Sequence, residues 1–360
     1  MPWNLASVLI PSVPLPLWLA CHPRISQALN VYDQQQTHRI SNDAVSIKSR
    51  SKPDPWLVTC LFKWEIDLFT NYKKQRVAVN GVHIACRVGG RGPGLLLLHG
   101  HPQTHVIWHR VADALAEHFT VVASDLRGYG DSDKPVAQES TYSKREMAAD
   151  QVGLMQALGF DQFVVMAHDR GARVAHRMAA DHAGAILRMV LLDIAPTLAM
   201  YEQTNEAFAR AYWHWFFLIR PAPLPETLLH ADPAGYMRSV MGSRHGGMAA
   251  FTDEAFAEYL RCLKLPGTVS ALCEDYRASA GIDLIHDRED RAAAKRLPMP
   301  VKIFWGEHGV IERCFDPLAE WKRVAEHVSG ASLPCGHYVP EEAPEELLAA
   351  TLSFLRGSQQ

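Results

Sequence analysis

Short runs of apolar residues recur along the chain from about residue 71, and helix-length amphipathic segments separate the first four of them. The runs lie at residues 94–100, 119–125, 163–168, 187–193 and 301–306. Their length and their Val, Leu and Phe content predict strands buried on both faces of a parallel sheet. Just before them, the dipeptide Asn80-Gly81 joins two short segments and predicts a β-hairpin. The alternation of strand and helix therefore predicts an α/β fold with a doubly wound, mostly parallel sheet.

This regular alternation lapses from Ile194 to about Leu297, where Trp, Tyr, Phe and Pro are frequent and the pattern is mostly helical. An insertion of this size between two strands is typical of a cap that roofs a substrate pocket. We therefore predict a core formed by residues 69–194 and 298–360, with a helical cap formed by residues 195–297.

The first 68 residues differ in character from the rest. Prolines interrupt their apolar start, no Lys or Arg precedes the apolar run, and residues 33–55 are polar and rich in turn formers. These features disfavour a signal peptide and a membrane helix, so we predict a flexible amino-terminal extension.

Charge and cysteine content narrow the class of protein further. The net charge is −3, from 36 basic and 39 acidic residues, which disfavours nucleic acid or an anionic membrane as a partner. The seven cysteines are scattered and form no C-x-x-C pair, which favours reduced thiols and a cytoplasmic location. The 18 histidines show no metal-ligand spacing, so no metal and no cofactor are expected.

Three candidate catalytic residues stand where predicted strands end. Asp169 lies on a tight turn after the strand at 163–168, Asp193 ends the next strand, and His337 follows the last predicted strand. Active groups of open α/β sheets gather at the carboxyl ends of the strands. The order nucleophile, acid, histidine is also that of the α/β-hydrolase triad. Glu307 and Glu312 remain reserve candidates for the acid.

Residues from about 70 to 357 resemble the α/β-hydrolase superfamily, and within it the haloacetate dehalogenases, including the fluoroacetate dehalogenases. The motifs that carry the resemblance are HDRGAR at 168–173, LLDIAPT at 191–197, ARAYWHWFF at 209–217, DYRAS at 275–279 and CGHY at 335–338. Two positions depart from the usual pattern: Ala167 precedes the first motif where Gly is common, and Ala172 replaces a second Gly within it. The resemblance implies an α/β-hydrolase fold with an inserted helical cap.

The resemblance also implies a mechanism. Asp169 would displace halide from a haloacetate and form an ester, which a water activated by His337 would hydrolyse to glycolate. Asp193 would orient His337. The main-chain N–H groups of His101, in the HGHP turn, and of Arg170 would form the oxyanion hole.

Two further sets of residues are assigned through the same resemblance. Arg170 and Arg173 would bind the substrate carboxylate, because a guanidinium can clamp a carboxylate with two hydrogen bonds. Three cap residues would donate hydrogen bonds to the leaving halide, namely His214, Trp215 and Tyr276. The expected partners are a small haloacid and water, and a homodimer is the assembly that general frequencies favour.

Three other functions compete with this interpretation. An epoxide hydrolase would share Asp169 and use Tyr212 and Tyr276 as acids, but it would leave the two arginines without a role. A serine esterase or lipase would need a G-x-S-x-G motif, which the chain lacks. A ligand-binding protein without activity would not need the triad. Whether fluoride or only heavier halides are removed stays open, because that depends on a finely fitted pocket.

Overall fold

A computed structural model describes residues 68–357 and shows an eight-stranded mixed sheet. The strands are β1 (Lys73–Val79), β2 (Val82–Gly90), β3 (Gly94–Leu98), β4 (Thr120–Ser124), β5 (Phe163–His168), β6 (Ile186–Leu192), β7 (Leu297–Gly306) and β8 (Ala325–Leu333). Their order across the sheet is β1-β2-β4-β3-β5-β6-β7-β8. The pairs β1/β2 and β2/β4 are antiparallel and the remaining pairs are parallel. The predicted doubly wound, mostly parallel sheet is thereby confirmed.

Helices cover both faces of this sheet and fill the interval between β6 and β7. In chain order they are α1 (Ala112–Ala116), α2 (Lys144–Ala157), α3 (Asp169–Asp181), α4 (Thr197–Glu202), α5 (Glu206–Ala211), α6 (Trp213–Leu218), α7 (Leu224–Ala231), α8 (Pro233–Gly242), α9 (Asp253–Leu263), α10 (Thr268–Ala280), α11 (Ile282–Ala292), α12 (Val310–Cys314), α13 (Pro317–Val324), α14 (Val339–Glu342) and α15 (Pro344–Arg356). Single 3₁₀ turns occur at His105–Trp108, Ala183–Ala185 and Gly247–Ala250.

The apolar runs are continuous because the central strands are buried on both faces. In β3, Leu96 and Leu98 contribute to one hydrophobic cluster, whereas Leu95 and Leu97 contribute to another, and all four are fully buried. Successive side chains of a strand point to opposite faces, so each face of the sheet has its own core. The sheet therefore fixes the carboxyl ends of β5 and β6, which Asp169 and Asp193 directly follow.

The amino-terminal hairpin turns where the sequence predicts it. Val79 pairs with Val82 across Asn80 and Gly81, whose φ angles are 46° and 77°. Such left-handed conformations suit Asn and Gly, because a larger side chain is strained there.

The inserted helical cap is also confirmed, since helices α4 to α11 all lie between β6 and β7. None of the helices within residues 68–357 is long and apolar enough to cross a membrane. The predicted extension, residues 1–68, falls almost wholly outside the described part of the chain.

Strand β8 is the element that the sequence analysis does not predict. It is an edge strand that pairs with β7 alone, and most of its residues are partly or fully exposed. Its sequence AEHVSGASL therefore lacks a continuous apolar run. His337 consequently follows β8, not β7, at the carboxyl end of the sheet.

Candidate active site

Asp169 lies on a strained turn between β5 and α3, with a φ of 46°. A non-glycine residue in this region is uncommon and is often found at functional sites. Two glycines allow the turn to pack closely. A Cβ at Gly171 would lie 2.5 Å from the carbonyl oxygen of His99, and one at Gly100 would overlap the Asp169 side chain. The turn thus exposes the Asp169 carboxylate above the sheet while the main chain remains tightly packed.

The structure brings Asp193 and His337 together. The Nδ1 of His337 donates a hydrogen bond to Oδ2 of Asp193 over 2.5 Å, and both side chains are buried. The other carboxylate oxygen, Oδ1, accepts a hydrogen bond from the main-chain N–H of Gly306 at 3.0 Å. Asp193 therefore fixes the ring orientation of His337 and leaves Nε2 available as a base.

The reserve acids are placed elsewhere. Glu307 pairs with His308 at 3.2 Å, and Glu312 accepts a hydrogen bond from the Trp305 indole. At Gly309, an added Cβ would lie 3.2 Å from Oδ1 of Asp193. The Asp193 carboxylate thus lies beside Gly309 and is the acid that contacts the histidine.

The surroundings of Asp169 favour its ionised form. Burial alone would raise the pKa of this carboxyl, but its electrostatic interactions with His337, His168 and the two arginines outweigh burial and hold the pKa below its usual value. His337 is the strongest of these partners. Asp169 is therefore a carboxylate at neutral pH, as a nucleophile requires.

The main-chain N–H of His101 contacts Asp169 directly. It donates a hydrogen bond to Oδ1 of Asp169 at 3.0 Å. The His101 ring is hydrogen-bonded through Nε2 to the Tyr236 hydroxyl at 2.9 Å, and burial lowers the pKa of His101 to about 3. The ring is thus neutral, and the loop that presents the N–H is anchored to the cap. A contribution from the Arg170 main chain to the oxyanion hole remains a prediction.

The Arg170 guanidinium is fully buried and mostly occupied. Its Nε and Nη2 donate to the two carboxylate oxygens of Asp275 at 2.8 and 2.9 Å, and Nη2 also donates to Ser279 at 2.6 Å. Only Nη1 lacks a hydrogen-bond partner. Its Cζ lies 4.1 Å above the ring of Tyr276. Arg170 can therefore offer a ligand one nitrogen, and its positive charge is already balanced by Asp275.

Arg173 is buried without a carboxylate partner within salt-bridge distance among the described residues. Its Nη1 donates to the Thr197 hydroxyl at 3.0 Å and to the carbonyl of Ala195 at 3.3 Å, while Nε has no partner. Its Cζ lies 4.6 Å above the Trp215 ring. Burial lowers the pKa of Arg173, although the nearby charge of Asp169 opposes that effect. An anionic ligand beside Asp169 would compensate the buried charge of Arg173 further.

The predicted halide-binding residues form a buried aromatic wall over the site. The ring of Tyr276 lies 6.0 Å from that of His214 and 6.4 Å from that of Trp215, and 5.3 Å from the ring of His101. The Trp215 indole nitrogen and the Tyr276 hydroxyl are buried and have no hydrogen-bond partner. Burial lowers the pKa of His214 well below its usual value, so its ring is neutral. The wall therefore presents an indole N–H and a phenol hydroxyl that no protein group occupies.

Sequence reasoning missed the residues that hold these side chains in place. Asp275 binds Arg170 and is also paired with Lys144, and all three side chains are buried. The ring of His168 donates through Nε2 to the main-chain carbonyl of His337 at 2.8 Å. Asp275 lies in the DYRAS motif and His168 in HDRGAR. Each is a polar residue directly beside an assigned site residue, and this position was the signal that could have identified it. Within residues 68–357, no cluster of three or more His, Cys, Asp and Glu could hold a metal ion.

Comparison with known proteins shows which families the chain resembles. A family model described as the alpha/beta hydrolase fold matches residues 93–243. The chain is 41% identical to a fluoroacetate dehalogenase from Burkholderia sp over 81% of this chain and 96% of that protein. It is 34% identical to a soluble epoxide hydrolase from Corynebacterium sp. strain C12 over 79% of this chain and 98% of that protein. A solved structure of a putative alpha/beta hydrolase from Nostoc sp PCC 7120 is 52% identical in sequence and has a TM-score of 0.78. The match covers 80% of this chain and 99% of that chain.

Proposed function

The chain belongs to the α/β-hydrolase superfamily, in the family of the haloacetate dehalogenases, and from this premise we propose that it hydrolyses haloacetates to glycolate and halide. The observation that supports this proposal most directly is a set of four buried donors around Asp169 that have no hydrogen-bond partner. They are Arg170 Nη1, Arg173 Nε, Trp215 Nε1 and the Tyr276 hydroxyl. Buried polar groups favour a hydrogen-bond partner, so four such donors in one place suit an anionic ligand.

The four donors divide into two pairs that match the two ends of a haloacetate. The two arginine nitrogens suit the carboxylate, which would otherwise repel the attacking Asp169. The indole and the phenol, together with neutral His214, suit the departing halide, since fluoride is a poor leaving group unless it is hydrogen-bonded. The reacting carbon would lie between these pairs and above Asp169.

In the first step Asp169 displaces the halide. Its Oδ1 is held by the His101 N–H, so Oδ2 is the oxygen free to attack the carbon. The new carbon–oxygen bond forms as the carbon–halogen bond breaks, and both bonding electrons leave with the halide. A carboxylate suits this displacement at a saturated carbon, and the product is an ester of Asp169.

In the second step water hydrolyses this ester. His337, oriented by Asp193, takes a proton from water, and the resulting hydroxide attacks Cγ of Asp169. Negative charge then develops on the oxygen that faces the His101 N–H. Collapse breaks the ester bond, and the departing glycolate oxygen takes the proton back from His337. The second proton of the water is lost to solvent, which restores the Asp169 carboxylate.

Epoxide hydrolysis is the second candidate, because the Corynebacterium relative carries that name. It would use the Tyr276 hydroxyl with Tyr212, whose ring lies 5.5 Å from the ring of His214. A neutral epoxide, however, offers no negative charge to Arg173, which has no carboxylate within salt-bridge distance among the described residues. We therefore favour an acid substrate.

We also place the protein in the cytoplasm, which is supported by the free thiols of Cys86, Cys262, Cys273, Cys314 and Cys335.

The proposal is tested by measuring halide release from fluoroacetate, chloroacetate and bromoacetate, alongside diol formation from a terminal epoxide. We expect halide release with a strong dependence on Tyr276 and a weak one on Tyr212, tested as Tyr276→Phe and Tyr212→Phe. An epoxide hydrolase would need both hydroxyls and would release no halide from any of the three acids.

A further inference from the structure

A cavity opens onto the candidate active site from the side of His337. Its volume is about 510 Å³, and His337 is among the residues that line it. The cap contributes the segment from α5 to the start of α6 and the end of α8, and the core contributes the turn after β7 with α12. We call this cavity the vestibule. It is separate from the four unpartnered donors, none of which belongs to its lining residues.

The described residues that line the vestibule include basic side chains and no Asp or Glu. The basic residues are Arg210, Arg244, His245, His308 and Arg313. Arg210 is offset by Glu206 at 2.7 Å, and both are well exposed, so its contribution is small. The His245 and His308 rings lie against each other with centroids 4.2 Å apart.

Arg244 and Arg313 are the charges that matter most, because neither lies within salt-bridge distance of a described carboxylate. Arg313 donates through Nε to the carbonyl of Gly309 at 3.3 Å. Arg244 donates through Nη1 to the carbonyl of Ala211 at 3.3 Å, and its Nε is buried without a partner. The vestibule thus carries two cations whose charge is not balanced locally.

The positive potential extends from the vestibule to the reacting groups. The Arg244 Cζ lies 4.4 Å above the ring of Tyr212, and that ring lies 6.2 Å from the ring of His337. The charge of Arg244 adds to burial in lowering the pKa of His101 and of His214, both of which surround Asp169. The positive charge of the vestibule therefore reaches the groups that surround Asp169.

From this arrangement we propose that the vestibule is a capture site for small carboxylates on their way to Asp169. The identity of the anion as the substrate rests on the proposed function, whereas the anion affinity rests on the vestibule alone. A cleft lined by one sign of charge can raise the association rate of an opposite charge by about 10- to 1,000-fold. Because the Debye length is about 10 Å at 0.1 M salt, such capture weakens as salt is added.

The first test compares kcat/KM for chloroacetate and for neutral chloroacetamide at low and high ionic strength. For chloroacetate, we expect Arg313→Gln to lower kcat/KM at low salt by about threefold to tenfold and to flatten its salt dependence. The values for chloroacetamide should change little. Arg323→Gln, an exposed arginine beside Glu320 outside the vestibule, is the matched control. Equal losses for acid and amide, or a wild type insensitive to salt, would overturn the proposal.

A second measurement does not depend on activity. Trp213 lines the vestibule and is 37% exposed, so its fluorescence can report which ions enter. Its contribution is isolated by subtracting the signal of Trp213→Phe. We expect iodide to quench Trp213 more strongly than caesium, and Arg313→Gln to reduce that excess. Equal quenching by both ions would contradict the vestibule even if haloacetates are hydrolysed. A preference for iodide with no halide release would instead contradict the proposed function alone.

Discussion

Arg173 is the residue on which the proposed acid specificity would depend most. Arg170 is balanced by Asp275, whereas no carboxylate lies within salt-bridge distance of Arg173 among residues 68–357. A buried charge without a close partner is costly, and an anion that binds beside it reduces that cost. Arg173 is held by Thr197 and Ala195 through Nη1, and its Nε has no hydrogen-bond partner.

Replacing Arg173 by Lys tests this role, because an ammonium cannot bond to Thr197 and to a substrate carboxylate with the same planar fork. We expect kcat/KM for haloacetates to fall by about tenfold to a hundredfold, the effect of one lost charge-assisted hydrogen bond. The loss should be much smaller for a haloacetamide. Steady-state kinetics with both substrates gives the answer, and similar losses for the two would show that Arg173 only supports the turn at Asp169.

At the scale of single residues, the sequence predicts candidate catalytic residues but not which carboxylate balances the charge of each arginine. Asp169, Asp193 and His337 follow strand ends, and parallel topology brings such ends together. The partner of Arg170 is Asp275, which is 105 positions away on a cap helix. No periodic pattern encodes a contact of that separation, so the division of labour between the two arginines appears only in the structure.

Helix α10 links the cap to the core at the level of secondary structure. It carries Asp275, which binds Arg170 of α3 and Lys144 at the start of α2, and Tyr276, which lies under Arg170. The Tyr129 hydroxyl also donates to Asp275 at 2.7 Å. This network fixes where the cap places the Tyr276 hydroxyl relative to Asp169.

Changing Asp275 to Asn removes the charge that balances two buried cations. Breaking a buried ion pair from one side costs about 3–5 kcal/mol, so we expect a lowered free energy of unfolding in denaturant titrations. We also expect a raised KM for haloacetates, since Arg170 loses its anchor. Asp131→Asn is the control: Asp131 pairs with partly exposed Arg261 and Lys74, and such pairs contribute about 0–1 kcal/mol. Equal effects of the two variants would show that the network does not position the site.

At the scale of secondary structure, the sequence predicts strands that are buried on both faces and misses a strand that is exposed. Strands β3 to β7 appear as apolar runs because both of their faces are covered. Strand β8 is an edge strand with exposed positions, and its polar sequence resembles a loop. Its existence follows from pairing with β7, which is a property of the sheet and not of the segment.

For the molecule as a whole, Phe69 anchors the start of the described chain to the core. Phe69 is 1% exposed and packs against Tyr72 with ring centroids 5.0 Å apart and against His105 at 5.3 Å. It belongs to the hydrophobic cluster on one face of the sheet. The described chain is therefore anchored to the core from this position onward.

Two truncations test the prediction that the extension is dispensable. A chain that begins at Glu65 keeps Phe69, and we expect it to fold and to retain most of the activity. A chain that begins at Thr70 lacks Phe69, whose removal should cost about 3–5 kcal/mol by the measure of a buried aromatic side chain. Thermal unfolding of the two truncated chains measures the change in stability, and their specific activities measure the change in function. Loss of soluble protein for the chain that begins at Glu65 would show that the residues before Glu65 are part of the fold.

The most direct measurement of the central claim uses His337→Asn, which should still alkylate Asp169 but should not hydrolyse the ester. After incubation with fluoroacetate or chloroacetate, mass spectrometry should find one carboxymethyl group per chain, on the peptide that contains Asp169, with one equivalent of halide released. The double variant Asp169→Asn with His337→Asn should carry no such group. An unmodified Asp169 peptide despite halide release, or a carboxymethyl group on another residue, would contradict the account.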